Sequence, residues 1–456
     1  MARHALIRSL LFVALVTVGT AARASADDTW KAGTARANIT PEEPMWMSGY
    51  GSRDHVSEGK LTDLWAKALA FEDPQGHRAL LITLDLVGID RELSGRVCRQ
   101  IEERHQLQRS DIALCTSHTH TGPVVGHNLK AMYWQLDDAQ WQQVDRYTGK
   151  LEKQLVALAD EAISALQPCR LSWSRNTCTV AVNRRNNREA DVPQLRSEGK
   201  LEGPVDHDVP VLVVRGEDGK PRAVAFGYAC HATVLSFYRY SGDYPGFAQM
   251  EVEKALPGAV ALFWAGCGAD QNPLPRRNVE QAKAYGRRLA EAVLRAVDAT
   301  TQPIKGTLAT SYAEIDLPFD KLPTREQLES EAGSPNHYIA SRAKLLLTKI
   351  DRDGALSPTY PYPVQVWRLG PDVRFVILGG EVVVDYALRL KRELGPTTWV
   401  AAYSNDVMAY IPSRRVLNEG GYEGGGAMVY YGLPTAWAPQ VEELIVRKVK
   451  ELAGAN

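Results

Sequence analysis

A chain of 456 residues with 53 Lys plus Arg against 54 Asp plus Glu, and a formal net charge of −1, has no electrostatic footprint for nucleic acid or an anionic membrane surface. Its length exceeds the usual reach of one hydrophobic core, yet no Ser/Pro/Gly linker and no repeat period divides it, so one large, elaborated domain over 27–456 is expected. Six cysteines, at 98, 115, 169, 178, 230 and 267, are too few and too scattered for a disulfide scaffold, and without a C-x-x-C pair a cysteine metal site is not expected.

Arg3 and Arg8, the apolar run 10–18 and Ala24-Ser25-Ala26 have the three-part layout of a cleavable secretory signal at 1–26, which predicts an exported chain, periplasmic or secreted. The run is too short to span a bilayer, and no later stretch of roughly 20 uncharged apolar residues follows. A soluble mature chain without a transmembrane segment is therefore expected. Residues 79–87, almost wholly apolar with Asp85 near the end, read as a strand buried on both faces. Leu93, Val97 and Ile101 recur at four-residue spacing on one helical face, and 112–115 begins a second strand, which completes a βαβ unit. The alternation continues with a helix over 138–166, strands near 171, over 211–214 and over 223–229, a helix over 247–256, a strand over 260–264 and a helix over 279–297. An Arg/Lys-rich helix over 325–350, a strand over 374–378, a helix over 382–394, a strand over 399–403 and a closing amphipathic helix from 439 follow. The class is α/β with a mixed sheet. Cys169 and Cys178 flank what reads as a hairpin, and the spacing leaves a bridge and two free, half-buried thiols equally open.

The polar residues fall where strands end. Ser117-His118-Thr119-His120 follows one apolar strand, His231 another, Asp270-Gln271-Asn272 a third, Glu381 a fourth and Asn405-Asp406 a fifth. Ligand and catalytic groups of open α/β sheets gather beyond the carboxyl ends of strands, so these groups are expected to converge on one cleft. His118 and His120 stand two apart at a strand end, where alternate side chains face the same side. Each residue has a bland alternative. The H-x-H pair would also serve loop hydrogen bonds, His231 a core contact to a carbonyl, and Glu381 the dipole of a following helix. Taken together, two neutral imidazoles, a carboxylate and an open position suit Zn²⁺. Water bound to such an ion has its pKa lowered to about 7, which points to hydrolysis.

Thr116-Ser117-His118-Thr119-His120-Thr121-Gly122-Pro123 resembles the T-H-T-H-S-G-P segment of the neutral ceramidase family, zinc amidohydrolases that cleave the N-acyl bond of ceramide. Other segments agree in order. The opening Gly33 to Pro41, Met47-Ser48-Gly49-Tyr50, Val182-Asn183-Arg184, Cys230-His231-Ala232-Thr233 and Gly380-Glu381 resemble family stretches, as do 405–410 and Tyr422-Glu423-Gly424. The resemblance implies zinc ligation by His118, His231, Glu381 and Tyr410, with His120 as a substrate-polarising or supporting group. Asn183 and Arg184 would line the acyl or amide end of the pocket, and the substrate would be ceramide or a related N-acyl lipid. Two departures stand out. Where the family carries a catalytic serine in G-D-V-S-P-N, this chain reads Gly268-Ala269-Asp270-Gln271-Asn272-Pro273, so Gln271 takes the position of the nucleophile and Asp270 becomes the candidate base or water-orienting group. The chain also ends soon after the last matching segment, without the C-terminal β-sandwich of longer relatives, so access to membrane lipid is expected to differ. A zinc hydrolase with another ester or amide substrate, or a non-catalytic exported binding protein, are the alternatives.

Overall fold

The computed structural model describes residues 29–454, and the expected export signal at 1–26 lies outside them. In chain order the first strands are β1 (Trp30–Asn38), β2 (Trp65–Glu72), β3 (Arg78–Leu84), β4 (Ile112–Thr116), β5 (Gln167–Thr177) and β6 (Ala181–Asn183). Then come β7 (Asp208–Gly216), β8 (Pro221–Tyr228), β9 (Val260–Ala265), β10 (Gln271–Pro273) and β11 (Gln302–Pro303). The last are β12 (Leu308–Pro318), β13 (Thr359–Leu369), β14 (Val373–Leu378), β15 (Glu381–Val382), β16 (Thr398–Ala401) and β17 (Tyr410–Ile411). A large mixed sheet runs β4-β3-β2-β1-β5-β7-β8-β9 with β11 attached to β5, and a smaller one runs β12-β13-β14-β16. Two short pairs, β6 with β10 and β15 with β17, lie outside both sheets.

The apolar runs are explained by what covers each face. Along β3, Leu80, Ile82 and Leu84 enter one core while Ala79 and Leu81 enter another, as the two-residue period of a strand requires. The first core lies under the helices Arg91–His105 and Asp138–Ser164. The second lies between the two sheets, where Trp264 packs on Phe375 and stacks on Trp399 with ring centroids 4.9 and 5.9 Å apart. Strand β8 divides in the same way, sending Ala223 and Ala225 between the sheets and Val224 and Phe226 toward the helices Asp243–Ala255 and Val279–Asp298. The outer face of the smaller sheet is covered by Val384–Leu394 and Val441–Leu452. The layers are therefore helix, sheet, sheet, helix. The expected βαβ unit is present, with β3 parallel to β4 and Asp90 capping the intervening helix by accepting from the Leu93 amide.

Two expectations are corrected. The helix read over 325–350 is two helices, Arg325–Glu331 and His337–Asp353. Pro335 cannot supply the amide to carry the first onward, and the Asn336 side chain caps the second by accepting from Tyr338 N. Cys169 and Cys178 do not flank a hairpin, because β5 is one continuous strand between them. An extended strand separates them by about 30 Å, and both are buried free thiols.

The parallel pairs β3/β4, β8/β9 and β14/β16 direct their carboxyl ends to the functional centre described below, and the segment after β16 stitches the two sheets together there. Ala402 N donates to Ala265 O at 2.9 Å, Thr116 N to Tyr403 O at 3.2 Å and Asn405 N to Leu114 O at 2.7 Å. Close packing is also demanded at Gly33, where a Cβ would fall 2.2 Å from the carbonyl oxygen of Ala162 and 2.7 Å from Leu166 N. Both contacts are backbone and cannot rotate away. Gly33→Ala is expected to lower the urea midpoint by the equivalent of about 1–3 kcal/mol with an unchanged m-value, which equilibrium unfolding measures.

Candidate metal centre

The two histidines after β4 reach one centre, but not by strand alternation. The chain leaves the strand at Thr116, and His118 adopts a left-handed backbone (φ 57°), an uncommon state for a residue with a Cβ. Its Nδ1 donates to the Val87 carbonyl, which leaves the lone pair on Nε2. His231, just beyond β8, repeats the device by donating from Nδ1 to Gly268 O at 2.8 Å. Each tautomer is thus fixed by a backbone carbonyl, and both Nε2 lone pairs point inward. His120 completes the cluster with Nε2 3.0 Å from His118 Nε2, its backbone anchored by a bond from its amide to Ala232 O.

Glu381 follows β14 and stands beside Tyr410 in the β15/β17 pair. Gly380 makes this possible, since at φ 72° a Cβ there would lie 2.7 Å from Ala409 O. Glu381 Oε2 lies 3.1 Å from Nε2 of His118 and 3.1 Å from Nε2 of His231. That oxygen has no hydrogen-bond donor among the described residues, while Oε1 accepts from the Tyr431 hydroxyl. The Tyr410 hydroxyl lies 3.5 Å from His231 Nε2. Burial pushes His231 down to about 4, with Arg184 adding to the effect, and burial followed by the two neighbouring histidines holds His120 well below its ordinary value. Two inward lone pairs facing an unpartnered buried carboxylate repel one another unless a cation lies among them. An ion bound tetrahedrally by roughly 2 Å bonds keeps its ligands about 3.3 Å apart, close to the separations found here. The donor set fits a small divalent metal ion, and His118, His120 and His231 together could hold one.

The remaining sequence candidates form a second tier. Arg184 donates from Nη2 to the Tyr410 hydroxyl at 3.1 Å and from Nε to Glu423 at 2.8 Å. Asn183 is fully buried and donates to Asp270 Oδ2 at 3.2 Å. The other Asp270 oxygen accepts from Val384 N at 2.9 Å, at the start of the helix that follows Glu381, and burial raises this carboxyl above its ordinary value. Gln271 donates from Nε2 to Pro204 O, and its own backbone oxygen accepts from His231 N at 3.0 Å. Sequence reasoning missed Tyr403, whose ring stacks on His118 with centroids 4.2 Å apart, and Tyr431 on Glu381. Only the crowding of tyrosines late in the chain signals them.

These features define a four-layer α/β protein with a buried histidine and carboxylate centre suited to a metal. The family model for the neutral/alkaline non-lysosomal ceramidase N-terminal domain matches residues 30–263, and the chain belongs to that family. It is 31% identical over 280 residues to a neutral ceramidase of Drosophila pseudoobscura pseudoobscura, a match covering 58% of this chain and 38% of that one. With neutral ceramidase A of Dictyostelium discoideum it shares 24% identity over 280 residues, covering 55% and 37%. The matched part thus spans less than two fifths of these relatives' length. The crystal structure of neutral ceramidase from Pseudomonas aeruginosa superposes with a TM-score of 0.72 at 17% identity, covering 93% of this chain and 74% of that one. A ceramidase complexed with C2 gives 0.73 at 16% identity, covering 93% and 75%.

Asn405 and Asp406 brace the loop leading to Tyr410. The Asn405 side chain accepts from Leu114 N at 3.1 Å and donates to Gln365 at 2.8 Å. Asp406 accepts from the Tyr360 hydroxyl at 2.7 Å, and burial pushes its carboxyl up to about 7. A carboxyl with a raised folded-state pKa is protonated in the folded chain and ionised in the unfolded chain between about pH 4 and 7, so its contribution to stability falls as pH rises through that window. Asp406→Asn is expected to flatten the loss of stability across pH 4–7 by up to roughly 1.4 kcal/mol per pH unit, measured by denaturant titration at each pH.

Proposed function

We propose that the chain is a zinc-dependent hydrolase of N-acyl bonds, acting on ceramide or a related N-acyl lipid, with His118, His231, Glu381 and Tyr410 holding the metal. The observation that carries this reading is Glu381 Oε2 standing 3.1 Å from two inward imidazole nitrogens whose tautomers are locked by Val87 and Gly268. When bound, zinc supplies a Lewis acid and a water nucleophile active near neutral pH. The protein's own groups supply the rest. Gln271 carries an amide, which is no nucleophile, so attack by water replaces attack by a side chain. His120 is a neutral imidazole whose Nδ1 has no partner among the described residues, and it serves as the group that polarises substrate or takes a proton. Arg184 orients the Tyr410 hydroxyl. Asp270 acts through others, tying Asn183 to the start of the helix behind Glu381. An acyl chain finds apolar surface on Leu129, Val407, Met408, Leu433 and Tyr431 in a cavity of about 450 Å³ whose lining also carries charged groups such as Arg91, Glu92, Lys349 and Arg352, and Tyr431 touches Glu381. Among the described residues no helix is long and apolar enough to cross a membrane.

A zinc hydrolase acting on a different ester or amide is the second reading, and Gln271 at the position of the family's serine favours it. Purified protein is expected to carry about one zinc per chain by elemental analysis, and His231→Ala is expected to lose it. Full occupancy in that variant would remove His231 from the ligand set. Metal-loaded protein incubated with ceramide, other N-acyl lipids and simple esters is expected to release fatty acid. Silence across the panel would leave a binding protein. Asp270→Asn is expected to cut turnover at least about tenfold with zinc content retained, and equal loss of both would make Asp270 part of the metal site.

A further inference from the structure

Beside the centre lies a cavity of about 550 Å³, a size typical of small-molecule sites, with a lining that is not typical. Such sites are usually walled by apolar side chains, whereas this one is walled by Arg184, Arg185, Arg188, Arg276, Glu189 and Glu423. Leu274 is the one aliphatic side chain among the lining residues described, and Tyr422 supplies the one aromatic ring. None of the candidate metal ligands lines the cavity, which adjoins the centre through two of its walls. Arg184 lines it and donates to Tyr410, and Tyr422 packs edge-on against Tyr410 with ring centroids 5.2 Å apart.

The charges do not cancel. Four guanidinium groups face two carboxylates in the lining. Glu423 is held by Arg184 at 2.8 Å and Arg185 at 2.6 Å, and Glu189 by Arg276 at 3.1 Å and Arg277 at 3.2 Å. Arg184 and Arg185 are spent in these contacts and in bonds to Tyr410, Glu419 and Gly420. Arg276 is not. Its Nε donates to Glu189, while Nη1 and Nη2 have no protein acceptor among the described residues and stay open to water. Arg188, 85% exposed at the rim, has Asp191 no closer than 3.7 Å. A guanidinium anchored at Nε with its forked end open to the cavity is matched by a carboxylate, which accepts two parallel hydrogen bonds from it. The two fixed carboxylates nearby favour a monoanion over a group of higher charge.

We infer that this centre acts on a small acyl compound bearing a carboxylate, which Arg276 receives in the arginine-lined cavity while Arg188 steers it in. The inference rests on the second reading above, a hydrolase of an ester or amide other than ceramide, but the anion subsite itself is tested without turnover. Zinc-loaded full-length protein is titrated calorimetrically with N-hexanoylglycine and with its methyl ester. The free acid is expected to bind at least about tenfold more tightly than the ester, with a preference that shrinks as salt is added. Arg276→Gln is expected to erase the preference while zinc content, melting temperature and ester affinity hold. Arg276→Lys keeps the charge without the fork and is expected to retain only part of it, which guards against a variant that fails to fold. Equal affinity of acid and ester, or equal weakening of both in Arg276→Gln, overturns the inference. In the companion assay of acyl release, preferential binding of the acid without hydrolysis sinks the hydrolase reading and leaves the subsite standing. Turnover of ceramide and the ester at rates matching the acid overturns the inference.

Discussion

The arrangement on which everything else depends is electrostatic: a buried carboxylate oxygen with no donor of its own, faced by two imidazole nitrogens that have already committed their hydrogens to backbone carbonyls. Each of these groups is costly to bury alone, and together they are costlier unless a cation resolves them. A fold that keeps such a cluster must hold it in place at several points. Here Val87 and Gly268 orient the imidazoles, Tyr431 grips the far carboxylate oxygen, and Tyr403 backs His118. A metal centre built in this way selects its ion through rigid donors and tuned ligand basicity.

The layered architecture supplies that rigidity. The donors come from the ends of strands in both sheets, so relative motion of the sheets would pull Glu381 away from His118 and His231. The hydrogen bonds from the 402–405 segment to Ala265, Leu114 and Thr116 oppose that motion, and the indole and phenyl rings between the sheets fill the space behind them. Asp270 extends the same bracing to the β6/β10 pair and the helix after Glu381. Its engaged carboxylate makes it a strut between those two elements.

Much of this was legible in the sequence because strands buried on two faces leave long apolar runs, and polar residues at their ends then stand out. β3, β4, β8, β9 and β14 were readable on that basis, and so were His118, His231 and Glu381. The strand β1 was not, since Gly33, Ala35 and Ala37 give its alternation almost no hydrophobic contrast, and the β12/β13 hairpin was hidden because β12 is mostly half exposed and intersperses Thr, Ser, Glu and Asp among its apolar residues. The pairing of His118 with His120 was foreseen for a reason that does not hold: the left-handed turn at His118, rather than a pleat, brings the rings together. Arg276 carried no signal at all, because an unspent guanidinium is visible only once the neighbours that could have occupied it are placed.

Family membership and the details of this chain constrain its chemistry at different levels. The shared fold and the histidine and carboxylate donors concern how a bond is attacked, and they would serve amides and esters alike. Which molecule arrives is decided by the walls around that centre, and those walls can change without disturbing the donors. In this chain two parts of those walls adjoin. Gln271 lies in β10, and Arg276 follows a few residues later beside a cavity with a single aliphatic side chain in its described lining. A guanidinium fork open to the cavity rewards a ligand that brings its own negative charge. A carboxylate would exchange water on that fork for two parallel charge-assisted hydrogen bonds, a gain that a neutral group does not obtain.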